Sequence, residues 1–230
     1  MYGKWISILS KTELFSNITS KDLDTLFSCL MPKVHSFKRN ECIAVAGEKF
    51  EAMGIVLSGS AAVTKENTAG NRIIITILKP GDMFGEMAAF SGSGLWPATV
   101  YAQENCTVVF LSPQKIVGFC EKACINHRLL IMNMLRIVTN KALMLNRKVE
   151  YLSIKSMRSK ISTYLLEQYN KTGKATFVLP LKRHELADFL NVSRPSMSRE
   201  MGRMREEGII DFHMSSVRLN DIEALKNMAD

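Results

Sequence analysis

Ser193, Arg194, Pro195, Ser196 and Arg199 fall within ten residues, NVSRPSMSRE at 191–200. Hydroxyls and guanidiniums gathered at the start of a helix are donors suited to phosphate oxygens and base edges. Setting Met197 on a buried face brings Met201 and Met204 to the same side at helical spacing, which makes them core. Pro195, Arg199, Gly202 and Glu206 then lie opposite, with Arg203 beside them. Ser193 stands at the N-cap, and Pro195 in the first turn sacrifices no intrahelical hydrogen bond. Arg194 and Arg199 can each make a bidentate contact to guanine O6 and N7, worth about 1–3 kcal/mol of discrimination. Gly202 has no side chain to hold the helix off a groove wall. The alternative is a surface helix whose arginines serve solubility, and context must decide.

Other reactive side chains are sparse. Cys120 and Cys124 sit one helical turn apart, the spacing of two buried thiols, a redox pair or a soft-metal site. With Cys29, Cys42 and Cys106 they make an odd, scattered set, which reads as reduced thiols in a cytoplasm. Cys29 and Cys42 lack the spacing of an N-terminal iron–sulfur cluster, and His35, His127, His184 and His213 are scattered, so neither such a cluster nor a haem is expected. A cupin-like metalloenzyme needs several ligands converging on one barrel, and the β segment offers only His35 among histidines. The reading is therefore not an enzyme.

Three segments must position the arginine cluster. Residues 12–30 read as one or two short helices, with Thr19 or Ser20 as cap before Leu23, Leu26, Phe27 and Leu30. From about residue 34 short apolar runs alternate with Gly47, Gly59, Gly70, Gly81 and Gly85, the grammar of a β-roll or jelly-roll barrel. The signal turns helical at Ser112 and stays so to about residue 152. There Ile131, Leu135, Val138, Ala142, Leu145, Val149 and Leu152 recur at alternating spacings of four and three, a heptad seam. The seam predicts pairing with a second copy; the alternative is that it covers the β-roll. The last segment runs helix (156–169), short strand TFVLPL, helix RHELADFL, a turn at Asn191–Ser193 and helix RPSMSREMGRMREE. Gly208 and a hairpin turning at Ser215 and Ser216 follow. That order is a winged helix-turn-helix. The fold class is α+β, with residues 1–124 as a sensing β-roll, 125–152 as a dimerisation helix and 153–230 as the DNA-binding domain.

Over essentially its whole length the chain resembles the CRP/FNR family of bacterial transcription regulators. PGDMFGEMAAF (80–90) looks like the family's β-roll turn, 126–152 like its central dimer helix, and LKRHELADFLNVSRPSMSREMGRMREEGII (181–210) like its helix-turn-helix and first wing strand. The resemblance implies a homodimer on a near-palindromic operator in double-stranded DNA, with RNA polymerase as a further partner. By this likeness Arg194 and Arg199 read bases, and Arg183, Ser193, Ser196, Ser198 and Arg203 hold phosphates. Pro195 stands where many members carry Glu, which removes an acceptor for a cytosine amine and alters the half-site. The implied effector pocket comprises Gly85, Glu86, Met87, Trp96, Ala98, Thr99, Leu145 and Asn146, with Tyr101 nearby. Cyclic-nucleotide members place an Arg-Ser or Arg-Ala pair where this chain has Trp96-Pro97. A phosphate buried without that cation is poorly compensated. Leu145 and Asn146 stand where those members have adenine-contacting hydroxyls. Cyclic AMP is therefore disfavoured, and a small organic effector is expected, or none.

The totals agree with this reading. The 230 residues carry a formal net charge of +8 and are 47% hydrophobic, ample for two packed domains. Lys and Arg against Asp and Glu number 12 to 11 in residues 1–124, 5 to 1 in 125–152 and 13 to 10 in 153–230, so the excess lies in the later segments. No run approaches the eighteen or so apolar residues of a membrane span, and MYGKWISILS lacks a long signal-like core. A regulatory module that binds a metabolite and acts through protein contacts remains the competing reading.

Overall fold

The computed structural model describes residues 3–49, 51–66, 72–118 and 125–229. Two compact units emerge, Met1–Thr139 and Asn140–Asp230.

The first unit opens with α1 (Gly3–Leu9), a 3-10 turn (Glu13–Phe15) and α2 (Ser20–Leu30). Thr19 caps α2, its Oγ1 accepting from Asp22 N–H at 3.2 Å. Eight strands follow: β1 (Lys33–Phe37), β2 (Cys42–Ala44), β3 (Met53–Ser58), β4 (Ala61–Glu66), β5 (Arg72–Leu78), β6 (Met83–Phe84), β7 (Thr99–Ala102) and β8 (Cys106–Leu111). They form two antiparallel four-stranded sheets, ordered β1-β8-β3-β6 and β2-β7-β4-β5. A core of Val56, Phe84, Trp96, Val100, Val108 and Phe110 joins residues of both. The second core packs α1 and α2 against Met53, Ile55 and Leu57 of β3. The short helices are α3 (Glu86–Phe90), between β6 and β7, and α4 (Pro113–Val117) after β8.

Where the sequence suggests helix unbroken from Ser112, α4 ends at Gly118. A Cβ there would collide with the Gln114 carbonyl, so the chain turns on a residue that has none. Cys120 and Cys124, with the possible thiol pair, lie outside the described residues.

Helix α5 (Ile125–Ser153) runs for 29 residues across the division between the units. Leu130, Met134 and Ile137, at spacings of four and three, are buried in the first unit's core. Asn133 sits among them and donates from Nδ2 to the carbonyls of Leu14 (3.0 Å) and Ser16 (2.8 Å), so its burial leaves the amide satisfied. The seam one residue further round stays exposed: Leu135 56%, Val138 44%, Leu145 61%, Val149 59% and Leu152 48%, with Ala142 also exposed. The face that covers the β-roll is thus not the heptad seam.

The second unit takes the end of α5, then α6 (Met157–Thr172), β9 (Thr176–Val178), α7 (Arg183–Leu190), α8 (Arg194–Glu206), β10 (Ile210–His213), β11 (Ser216–Leu219) and α9 (Ile222–Ala229). The three strands pair antiparallel in the order β10-β11-β9. One core holds Ile161, Leu165, Leu186, Leu190, Met197, Met201, Met204 and Val217. The hairpin turns at Met214 and Ser215, one residue earlier than the sequence suggests, because Ser216 already pairs with His213. That register points Val217 and Leu219 inward, and a one-residue slip would turn both to solvent. Helix α9 is an addition to the expected order. Asp221 Oδ1 accepts from Ala224 N–H at 2.9 Å, and Leu225 is fully buried.

Candidate nucleic-acid interface and effector turn

Helix α7 ends on Asn191 in the left-handed region (φ 53°), with Val192 N–H bonded to the Ala187 carbonyl at 3.0 Å. This closes α7 and starts α8 three residues later. Ser193 is extended and caps α8, accepting from Ser196 N–H at 3.3 Å, while the two hydroxyls bond each other at 2.7 Å. Met197, Met201 and Met204 are wholly buried (1% exposed or less) and hold one face of α8 on the core. The opposite face therefore faces solvent, and with it Ser193, Arg194, Pro195, Ser198 and Arg199. The helix dipole makes this end positive, suited to phosphate. Arg199 Nη2 reaches Ser196 Oγ at only 3.3 Å, so little holds it from a groove.

Two of the expected phosphate residues are less free. Arg203 is exposed but donates to Glu200 at 3.1 Å. Arg183 is half-buried, its guanidinium 4.8 Å from the Phe212 ring centroid and against Met201 Sδ and the Met214 carbonyl. Burial disfavours its charged form. Arg205 stands over the same ring at 4.9 Å, a contact missed in the sequence. These pairings bring α7, α8 and the wing together, and no spacing signal could have revealed them.

At the β-roll turn Gly85 adopts φ 83° and precedes α3. Trp96, 3% exposed, lays its indole against it; a Cβ on Gly85 would run into that ring. The Phe84 and Trp96 ring centroids are 5.8 Å apart. Glu86 and Ala98 are also buried, and Thr99 Oγ1 accepts from Ala46 N–H at 3.1 Å. Met87 is 62% exposed. Arg72 stands 4.2 Å over the Tyr101 ring. Leu145 and Asn146 are exposed on α5, in the second unit. The structure thus brings Gly85 and Trp96 together, with Trp96 in the core rather than on an open wall. Among the described residues no three His, Cys, Asp or Glu side chains converge as metal ligands, and no helix is long and apolar enough to cross a membrane.

Comparison with known proteins gives the same division. Residues 34–123 match the cyclic nucleotide-binding domain family, and residues 159–228 match the Crp-like helix-turn-helix domain family. The chain belongs to the CRP/FNR family of transcription regulators. It is 21% identical to the cyclic AMP receptor protein of Thermus thermophilus, over 94% of this chain and 96% of that one. It is 24% identical to the global nitrogen regulator of a Nostoc species, over 82% and 86% respectively. The crystal structure of Thermus thermophilus catabolite activator protein shares its fold, with a TM-score of 0.54 at 21% identity, covering 95% of this chain and 98% of that one. As a CRP/FNR regulator the chain carries its DNA-binding helix-turn-helix in α7 and α8. Within the residues that match the cyclic nucleotide-binding domain family, Trp96 is buried and is followed by Pro97.

Proposed function

We propose that the protein is a homodimeric, sequence-specific transcription regulator controlled through its β-roll by a small organic effector other than cyclic AMP. One observation carries the reading: α8 buries three methionines and turns its serine-capped positive end, with Arg194 and Arg199, to solvent. Residues 1–124 sense, 125–152 pair and 153–230 bind DNA. The exposed seam Leu135, Val138, Ala142, Leu145, Val149 and Leu152 is the surface for a second copy. Two recognition helices related by a twofold axis then meet half-sites about one helical turn apart, which makes the operator near-palindromic. Against cyclic AMP stands the indole filling the space at Gly85: a cyclic phosphate there would meet an apolar ring instead of a guanidinium. The effector would act by shifting the dimer helices and so the spacing of the recognition helices. The working compartment is the cytoplasm, and RNA polymerase is the expected protein partner.

The test is selection from a random-sequence DNA pool by the purified full-length protein, alone and in cell extract. A palindromic motif containing guanines in each half is expected. Retention of DNA without enrichment in both conditions would overturn sequence-specific readout and favour action through protein contacts.

A further inference from the structure

Three methionines fasten the recognition helix to its domain, and methionine is an unusual choice for precise placement. Its thioether chain is unbranched and flexible; it fills a gap well but specifies a position poorly. Reading a base edge demands placement of the arginine fork to a fraction of an ångström. Something stiffer has to set the rotation and axial position of α8. Glu200 on the flank of α8 and Glu207 at its C-cap lie seven residues apart, about two helical turns or 10.5 Å along the axis. Both carboxylates converge on one guanidinium from the first turn of α6. Arg158 Nε donates to Glu200 Oε1 at 2.6 Å, while Nη1 and Nη2 donate to Glu207 Oε2 and Oε1, each at 2.7 Å. Glu200 is 13%, Arg158 27% and Glu207 44% exposed, so the Glu200 arm of the fork is shielded and the Glu207 arm meets solvent. The second oxygen of Glu200 accepts from Arg203 at 3.1 Å, which ties an arginine of the DNA-facing side into the same set.

We infer that Arg158 is a positioning residue for base readout: its planar fork, held by Glu200 and Glu207, fixes the register at which α8 presents Arg194 and Arg199. The geometry is of the right kind. A guanidinium satisfied on three nitrogens by two acids, two turns apart, resists both rolling and sliding of the helix. The hydrogen bonds from Arg158 also lower the Glu207 carboxyl from its ordinary value. Nothing in α8 itself reveals this role, because the partners are 42 and 49 residues apart in sequence.

The inference rests on the operator reading above, and the test keeps the two separable. Full-length Arg158→Met, Arg158→Lys and Glu207→Gln proteins are compared with wild type on the selected operator and on a scrambled duplex of equal length. Thermal unfolding is recorded for each. Misplacing one base contact per half-site should lower the specific-to-scrambled affinity ratio about tenfold or more in Arg158→Met and Glu207→Gln. Glu207→Gln is the sharper case, since loss of a negative charge leaves binding to scrambled DNA equal or tighter. Arg158→Lys keeps the charge without the fork and should recover only part of the ratio. Unchanged ratios in both disrupting variants would overturn the inference, as would equal losses on both duplexes or full recovery by lysine. Should Arg158→Met fail to fold, Glu207→Gln carries the test, its side chain being 44% exposed. Methyl NMR of Met197, Met201 and Met204 is independent of DNA: split or broadened signals in Glu207→Gln support the clamp, and unchanged signals refute it. Wild-type protein with no sequence preference would refute only the operator reading.

Discussion

The contact between Gly85 and Trp96 makes a quantitative claim about the effector turn. An alanine at position 85 must hold φ near 83°, which costs a non-glycine residue about 1–2 kcal/mol. Its methyl must also displace the indole, an overpacking cost of about 1–3 kcal/mol. Gly85→Ala alone should therefore destabilise the first unit by about 2–5 kcal/mol. Trp96→Ala empties a core position that is 3% exposed, at about 3–5 kcal/mol. In the double variant the indole is gone, so the glycine replacement costs only its backbone strain. The double variant should then be more stable than the sum of the two single effects predicts, by about 1–3 kcal/mol. Differential scanning calorimetry of the full-length proteins reads this directly, with the β-roll transition identified as the one that Trp96→Ala lowers. Additivity within about 0.5 kcal/mol would mean that the indole does not occupy the place of the missing Cβ. Cyclic AMP supplies a second arm. At a hundred times its dissociation constant a ligand of the folded state stabilises by about 2.7 kcal/mol. A shift of that size in the wild-type β-roll transition at millimolar cyclic AMP would refute the reasoning that the turn is closed to a cyclic phosphate.

Arg199→Ala should leave thermal stability within about 0.5 kcal/mol, since the side chain is exposed with one long hydrogen bond. It should relax the preference at one guanine per half-site by about 1–3 kcal/mol; a repeat selection returning the wild-type motif would contradict this. Leu145→Glu sets like charges across the proposed seam, so sedimentation at micromolar concentration should find a monomer, and an intact dimer would move the interface elsewhere. For Arg183→Ala the packing against Phe212 and Met201 predicts a lower unfolding temperature of the second unit. Retained stability with a salt slope reduced by about one would instead assign Arg183 to a phosphate.

What is legible in the sequence follows from periodicity and caps. Met197, Met201 and Met204 recur at helical spacing, and Ser193 with Pro195 marks the helix start, so both faces of α8 can be written down from the residues alone. The glycines of the β segment read as turns for the same local reason. Residues whose roles come from distant contacts are not legible. Trp96 sits beside Pro97 in an irregular stretch, without a period to say whether it faces core or solvent; its burial depends on Gly85 and Phe84 across the turn. Arg183 looks free because arginines commonly are, yet Phe212 and the Met214 carbonyl hold it from the wing. Helix α9 carries a capping Asp221 and apolar residues at 222, 225 and 228, but eight residues at the end of the chain give a weak pattern.

Helix α5 shows how one helix can carry a second apolar surface beside the heptad seam read from the sequence. Residues 130, 134 and 137 face the β-roll core, and the seam beginning at 135 and 138 is rotated by one residue, about 100° round the axis. A helix that served only as a cover would place polar groups at that second position. Here five large side chains stand there, each roughly half exposed. Burying the remaining half of each is worth about 1 kcal/mol per side chain, or about 10 kcal/mol when two copies pair. Association costs about 4–15 kcal/mol, so the seam brings pairing within reach without making it tight. A marginal balance of that kind suits a regulator whose helices must shift in response to a ligand, because a shift then needs only the few kilocalories per mole that one small molecule can supply. A seam packed as tightly as a domain core would resist the motion through which the proposed control operates.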